Sequence, residues 1–221
     1  VTTTGGYGPA SLASLTLNST ATQSGPVATC LTYNDFVYRD CTDAAKTADL
    51  PSFQPFTVTT EMRPALYLGF DQPFDNRPMT LYVRVEPPRP GEIAEAVRNA
   101  TPDAVAPRVV WEYASGGEWR SLGAVDDTKV FAESHVIRFV GPPDFTVRTE
   151  FGQERYWLRA RWEAGTFLVP PRLRRVLTNT TLATQATTLQ REVLGSSTGE
   201  ANQVFRTTQA PVLQGQRLEV R

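Results

Sequence analysis

The chain has 221 residues, enough to bury a sizeable core in one large domain or two small ones. Its 22 basic and 23 acidic residues leave a formal charge of −1, without the positive excess of a protein that grips phosphate backbones. No apolar run approaches the roughly 18 residues that span a bilayer, and no basic start followed by an apolar stretch marks a signal peptide.

Thr, Val and aromatic residues, with 17 prolines and 15 glycines, supply the vocabulary of strands and turns. After a Gly-rich start, Leu15-Thr16-Leu17 opens the series of expected strands. Phe36-Val37-Tyr38 follows, then Ala65 to Phe70, then Thr80 to Val85 with Leu81, Val83 and Val85 on one face. The only helical pattern is Glu92 to Arg98, punctuated by proline on both sides, which reads as an insertion in a loop. Val109 to Tyr113 is the next strand, turned by Gly116-Gly117 towards Trp119 and Leu122. His135 to Val140 is another. Tyr156 to Trp162 alternates most clearly, with Tyr156, Leu158, Ala160 and Trp162 on one side and Arg159 and Arg161 on the other. Short alternating strands between Pro/Gly turns predict a mainly β protein, an antiparallel β-sandwich or jelly-roll-like domain.

After Pro170-Pro171 the chain becomes polar and rich in Thr and Gln. The predicted organisation is therefore an N-terminal extended or strand segment (1–60) packing on a sandwich core (61–171), followed by a connector or arm (172–221). The chain begins at Val1 and ends on the alternating run Leu218 to Arg221, which reads as a piece of a longer protein leading to a further domain.

Residue chemistry points away from catalysis. His135 is the sole histidine, too few for a metal cluster and alone as a candidate base. Glu112 and Glu118 flank the Gly-Gly turn; facing each other across the hairpin they would make the pairing a glycosidase needs, but solvated edge charges explain them at less cost. Asp126-Asp127-Thr128 reads as a turn whose side-chain oxygens bond the local backbone. Asp71, Asp75 and Asn76 lack the spacing of a calcium loop. No catalytic, metal or cofactor-binding residues are expected, and no cofactor. Cys30 and Cys41 are the two cysteines; they either pair across a hairpin or stay reduced, and reduced thiols are expected because nothing else marks secretion. Of the tryptophans, Trp111 and Trp162 fall on core faces, while Trp119 and Trp157 are the rings an exposed sugar platform would use, though core or interface packing is the expected role for them.

Several phrases taken in order resemble one family. Pro64-Ala65-Leu66-Tyr67-Leu68-Gly69-Phe70-Asp71 comes first, then Trp111-Glu112-Tyr113, Trp119 with Leu122, and Asp126-Asp127-Thr128. Tyr156-Trp157-Leu158-Arg159-Ala160-Arg161 follows, then Pro171-Arg172-Leu173, and last Leu194 to Phe205 with Ala210-Pro211-Val212-Leu213. Together, across residues 34 to 221, they resemble baseplate assembly proteins of phage-tail-like contractile injection systems, related to the baseplate J-like wedge components. The resemblance implies a structural, non-enzymatic part, assembled in the bacterial cytoplasm as one subunit of a particle. Its partners would be other baseplate subunits, the spike hub and sheath–tube adaptor proteins, with no nucleic acid and no membrane insertion. The family's Asp-Gly-Thr turn appears here as Asp126-Asp127-Thr128, and the segments Pro87 to Pro107 and Cys30 to Cys41 match no phrase. The expected contact element is Leu194, Gly195, Ser196, Ser197, Asn202, Gln203 and Phe205, with Leu194, Val204 and Phe205 as apolar anchors. The alternative from a different class is a carbohydrate-binding sandwich of a secreted hydrolase or adhesin.

Overall fold

In the computed structural model, residues 25–47, 49–57, 64–100, 103–180, 191–208, 210, 212 and 219 are described. The expected strand at Leu15-Thr16-Leu17, the glycines near Gly5 and most of the run from Leu218 lie outside them. The chain divides into two units, residues 19–181 and residues 1–18 with 182–221.

Within residues 19–181 the described strands are β1 (Gly25–Pro26), β2 (Thr29–Asn34), β3 (Val37–Asp40), β4 (Ala65–Phe70), β5 (Pro78–Glu86) and β6 (Arg108–Ser115). They continue as β7 (Glu118–Ser121), β8 (Val125–Asp126), β9 (His135–Val140), β10 (Val147–Glu150), β11 (Gln153–Ala164) and β12 (Arg172–Thr178). Two helices interrupt them, α1 (Thr42–Lys46) and α2 (Pro90–Asn99). One sheet runs β1-β12-β5-β9-β8, the other β3-β2-β4-β11-β6-β7 with β10 beside β11, and every pairing is antiparallel. The protein is thus mainly β, as its alternating strands predict.

Period-two patterning builds the core between the sheets. Met79, Leu81, Val83 and Val85 of β5 share it with Ile137 and Phe139 of β9 and Leu173 and Val176 of β12. From the other sheet come Leu66, Leu68 and Phe70, Trp111 and Tyr113, and Leu158 and Ala160. Each such side chain removes on the order of 1.5–3 kcal/mol of apolar surface from water. Helix α2 buries none of its residues and hangs on the sandwich through Arg172, whose guanidinium donates to both Glu92 carboxylate oxygens at 2.7 and 2.8 Å.

One boundary drawn from the sequence is shifted. Leu173 and Val176 are fully buried in β12, so the sandwich continues past Pro171 through Thr178 and the arm does not begin at Arg172. At the other end, the strand segment takes the form of β2 and β3, with β2 between β3 and β4 and Cys30 and Leu31 fully buried.

Tight turns fix the registers. Gly116 and Gly117 turn β6 into β7 with φ of 55° and 86°. The same geometry at Asp35 and Phe36 (52° and 59°) joins β2 to β3, without glycine. A longer left-handed turn runs through Lys129, Val130 and Phe131 (53°, 59° and 61°). Thr128 anchors it: its carbonyl accepts from Ala132 and Glu133, and its Oγ1 accepts from the Phe131 N–H at 2.9 Å. Asp126 Oδ1 accepts from the Thr128 N–H at 2.8 Å, the local bond expected of this turn. The buried Phe131 ring packs against Phe56 and Trp111.

Candidate interaction surface

The face of the seven-stranded sheet turned away from the main core is not a plain wet face. Leu31, Ala65, Tyr67, Ala114 and Trp157 form a second buried cluster there, flanked by Tyr33, Trp119 and Phe151. Its position follows from register: Ala114 of β6 faces Trp119 of β7, and Tyr67 of β4 faces Arg159 of β11. The β10–β11 turn, with φ of 51° at Phe151 and 75° at Gly152, folds the Phe151 ring over this layer. Its centroid lies 5.0 Å from Tyr67, 4.9 Å from Tyr38 and 5.7 Å from Tyr33. Gly69 leaves space for Trp157, since a Cβ there would stand 2.9 Å from the indole.

This cover decides between the two readings of Trp157 in favour of packing. Trp157 is 0% exposed and donates its Nε1–H to the Arg148 carbonyl at 3.0 Å, so it is unavailable as a stacking platform. Trp119 is half-buried, edge-on to Tyr67 at 5.7 Å, with the Arg159 and Arg148 guanidinium carbons 4.1 and 5.2 Å from its centroid.

An ionic stripe runs beside the aromatic layer. Glu112 accepts from Arg159 Nε at 2.6 Å and from Arg161 Nε and Nη2 at 3.3 Å. Glu163 continues it, 3.5 Å from Arg161 and 2.9 Å from Arg108. Burial pushes the Glu112 carboxyl up, but the hydrogen bonds and charges of Arg161 and Arg159 outweigh it and hold the group below the usual carboxylate range. The cross-strand partner of Glu112 is Ser121 and that of Glu118 is Ser115, so the two glutamates do not face each other as a catalytic pair would.

At the edge of this sheet, β3 is exposed along its whole length. Phe36, Val37 and Tyr38 are 69%, 57% and 51% exposed, a contiguous apolar strip at the tip and edge of the β2–β3 hairpin. The hairpin register pairs Asn34 with Val37 and Thr32 with Arg39. Alternation then turns the main-chain N–H and C=O of Tyr38 and Asp40 to the open side, where another strand can add.

The expected contact element is described separately, in the unit of residues 1–18 and 182–221. It forms a loop closed by Gln203. The Gln203 Oε1 accepts from the Thr198 N–H at 3.1 Å and its Nε2 donates to the Glu200 carbonyl at 2.9 Å and to Ser197 Oγ at 3.5 Å. Asn202 sits in the left-handed region (62°), and the Phe205 ring folds against Gly195, where a Cβ would come within 2.8 Å. Leu194 is half-buried and Ser196 exposed; Val204 and Phe205 remain 80% and 45% exposed. The anticipated anchors Val204 and Phe205 thus face solvent, while Gln203 has a local structural task.

The remaining sequence candidates are placed apart. His135 on β9 has Nδ1 3.9 Å from Asp127, itself paired with Arg138. Asp71 pairs with Arg155 at 3.3 Å, and among the described residues no three His, Cys, Asp or Glu side chains gather as a metal cage requires. Asp144 accepts from Tyr113, Ser115 and Arg120 at 2.9, 2.8 and 2.6 Å, a polar tie that the sequence does not announce. Compared with models of protein families and with curated proteins, the chain matches none.

Proposed function

We propose that this chain is a structural, non-enzymatic baseplate subunit of a phage-tail-like contractile injection particle, joining neighbouring baseplate proteins around the central spike. One observation supports this reading above others. Four of the phrases that carry the resemblance fall on β4, β11, β6 and β7, consecutive neighbours of one sheet, while the others lie on β8, on β12 and in the unit that includes residues 182–221. Tyr67, Trp157, Arg159, Arg161, Glu112 and Trp119 from those phrases build a single rigid aromatic and ionic face. These four phrases, far apart in the chain, meet on one face and so form one physical unit. Such a unit holds its exposed edges in fixed geometry, which docking between subunits needs.

Contacts would be made at the β3 edge with Phe36, Val37 and Tyr38, and at the exposed Val204 and Phe205. Spike hub and sheath–tube adaptor proteins are the partner classes that this reading implies. The test is deletion of the gene from a producing strain, followed by electron microscopy of its particles. The expected result is free sheath and tube without baseplates, restored by the wild-type gene. Normal baseplates in the deletion would overturn the reading.

A further inference from the structure

We infer that Cys30 and Cys41 form an oxidative modification site, a dithiol pair that a small-molecule disulfide converts to a disulfide within the chain and a dithiol reductant restores. The inference stands on local geometry and is independent of the baseplate reading.

Both residues are free thiols. The Cys41 N–H donates to the Cys30 carbonyl at 2.8 Å just past the Leu31–Asp40 pair that ends the β2–β3 ladder, while the Cys30 N–H donates to Thr42 Oγ1 at 3.0 Å. The two residues therefore face each other across the hairpin. Cys30 belongs to the main core and Cys41 packs against that same cluster, so both side chains are on the inner side of the sheet. Residues opposite each other across an antiparallel hairpin have Cα atoms about 4.5–5.5 Å apart. A disulfide spans about 4.4–6.8 Å between Cα atoms, so closure needs side-chain rotation rather than movement of the strands.

The two sulfurs differ in access, which assigns the order of events. Cys30 is fully buried. Cys41 is half-buried and lines a cleft of about 720 Å³ together with Ala28, Thr29, Thr42 and Phe53. Burial raises both thiols above their ordinary value, while a hydrogen bond from Thr32 favours the Cys41 thiolate. Cys41 is the sulfur that meets the reagent. Its thiolate attacks one sulfur of the oxidant, forming a mixed disulfide and expelling one thiolate, which takes up a proton. The Cys30 thiolate then attacks the Cys41 sulfur and expels the second. Two protein thiols are oxidised as one reagent disulfide is reduced to two thiols.

The resulting bridge closes the base of the hairpin that presents Phe36, Val37 and Tyr38, and ties β2 to the start of α1. Oxidation would tether the apolar strip to the core and slow its local opening.

The test incubates the full reduced chain with glutathione mixtures from fully reduced to fully oxidised, reading intact mass and free thiols. The expected result is a monomer that loses both thiols and about two mass units, carries a Cys30–Cys41 cross-link in its peptide map, and regains both thiols in dithiothreitol. Cys30→Ser should trap one glutathione on Cys41, and Cys41→Ser should take up glutathione at least tenfold more slowly. Near-UV circular dichroism checks that each variant is folded; if Cys30→Ser is not, the wild-type cross-link and the Cys41→Ser rate decide. Two thiols persisting in fully oxidised glutathione, or products that are only glutathione adducts or chain dimers, would overturn the inference.

Discussion

The Arg159 guanidinium carbon lies 4.1 Å from the centre of the Trp119 ring, and the Arg159 side chain is held there by its 2.6 Å hydrogen bond to Glu112. Aromatic layer and ionic stripe are therefore one unit. Trp119→Ala removes the cation–π contact and the edge contact with Tyr67, and should destabilise the sandwich by about 1–3 kcal/mol. Trp119→Phe should cost about half as much. Urea unfolding followed by fluorescence measures both, and an unchanged midpoint for Trp119→Ala would contradict the clamp.

Acid should loosen this face and two further carboxylate ties, at Asp144 and Glu92. Glu112 is held below the usual carboxylate range, as described above, and Asp144 is held there by hydrogen bonds from Ser115 and Tyr113. The hydrogen bond from Arg172 takes Glu92 down to about 2. A carboxyl whose folded pKa lies below its unfolded value near 4 stabilises the fold above that value, and this stability is lost as pH falls through the folded pKa. The urea midpoint should stay level from pH 7 to about 5 and fall from about pH 4.5 downwards. Glu112→Gln should lower stability at pH 7 by about 1–3 kcal/mol and make the acid decline shallower. A midpoint that rose on acidification would refute the assignment.

Gly69 and Trp157 meet too closely for any side chain on the glycine. Gly69→Ala would bring its Cβ to 2.9 Å from the indole and 3.1 Å from Thr29 Cβ, which should destabilise the chain by about 1–3 kcal/mol. In a double-mutant cycle with Trp157→Phe the two effects should be less than additive, because the smaller ring makes room. Strict additivity would show that the pair is not in conflict.

Phe36 combines high exposure with a left-handed backbone, and both are unfavourable for an isolated chain. Phe36→Gly should stabilise the hairpin by about 1 kcal/mol, since glycine adopts that conformation freely. If the strip docks a partner, the same variant weakens assembly while raising the unfolding midpoint. Chemical denaturation and particle reconstitution read the two effects separately, and a destabilised Phe36→Gly would count against the argument.

Fragment boundaries supply a further check. A chain ending at residue 181 keeps β12 and should unfold cooperatively, whereas one ending at residue 171 loses the partner of β1 and β5 and should not fold. Amide-exchange protection distinguishes the two. A folded 1–171 fragment would show that β12 is dispensable.

Regular alternation made much of the fold readable: β4 and β9 match their expected ranges residue for residue, and β5, β6 and β11 extend theirs by a few. Strand β12 hid because a register shift between Leu173 and Arg175 puts Leu173 and Val176, three apart, on one buried side. Strand β2 is buried on both faces through Thr29–Thr32, so no polar residue alternates to mark it. Trp157 looked open because it shares a face with Arg159 and Arg161; only the Phe151 turn, far off in pattern but adjacent in space, reveals the cover. The Glu112 pairing needs β6 to lie beside β11, a neighbourhood that no single segment specifies. At Asp35-Phe36 the turn lacks the Asn-Gly signal that normally announces such geometry.

The left-handed turn at Lys129–Phe131 bears on the order in which the molecule assembles. Three successive non-glycine residues there cost roughly 1–2 kcal/mol each, so the turn has no reason to exist before something rewards it. The local bonds to Thr128 offset part of this, and the rest comes from Phe131, which reaches Phe56 and Trp111 only once the two sheets have closed. The segment is therefore a late latch: substitutions within it should leave the refolding rate almost untouched and change how quickly the finished sandwich comes apart.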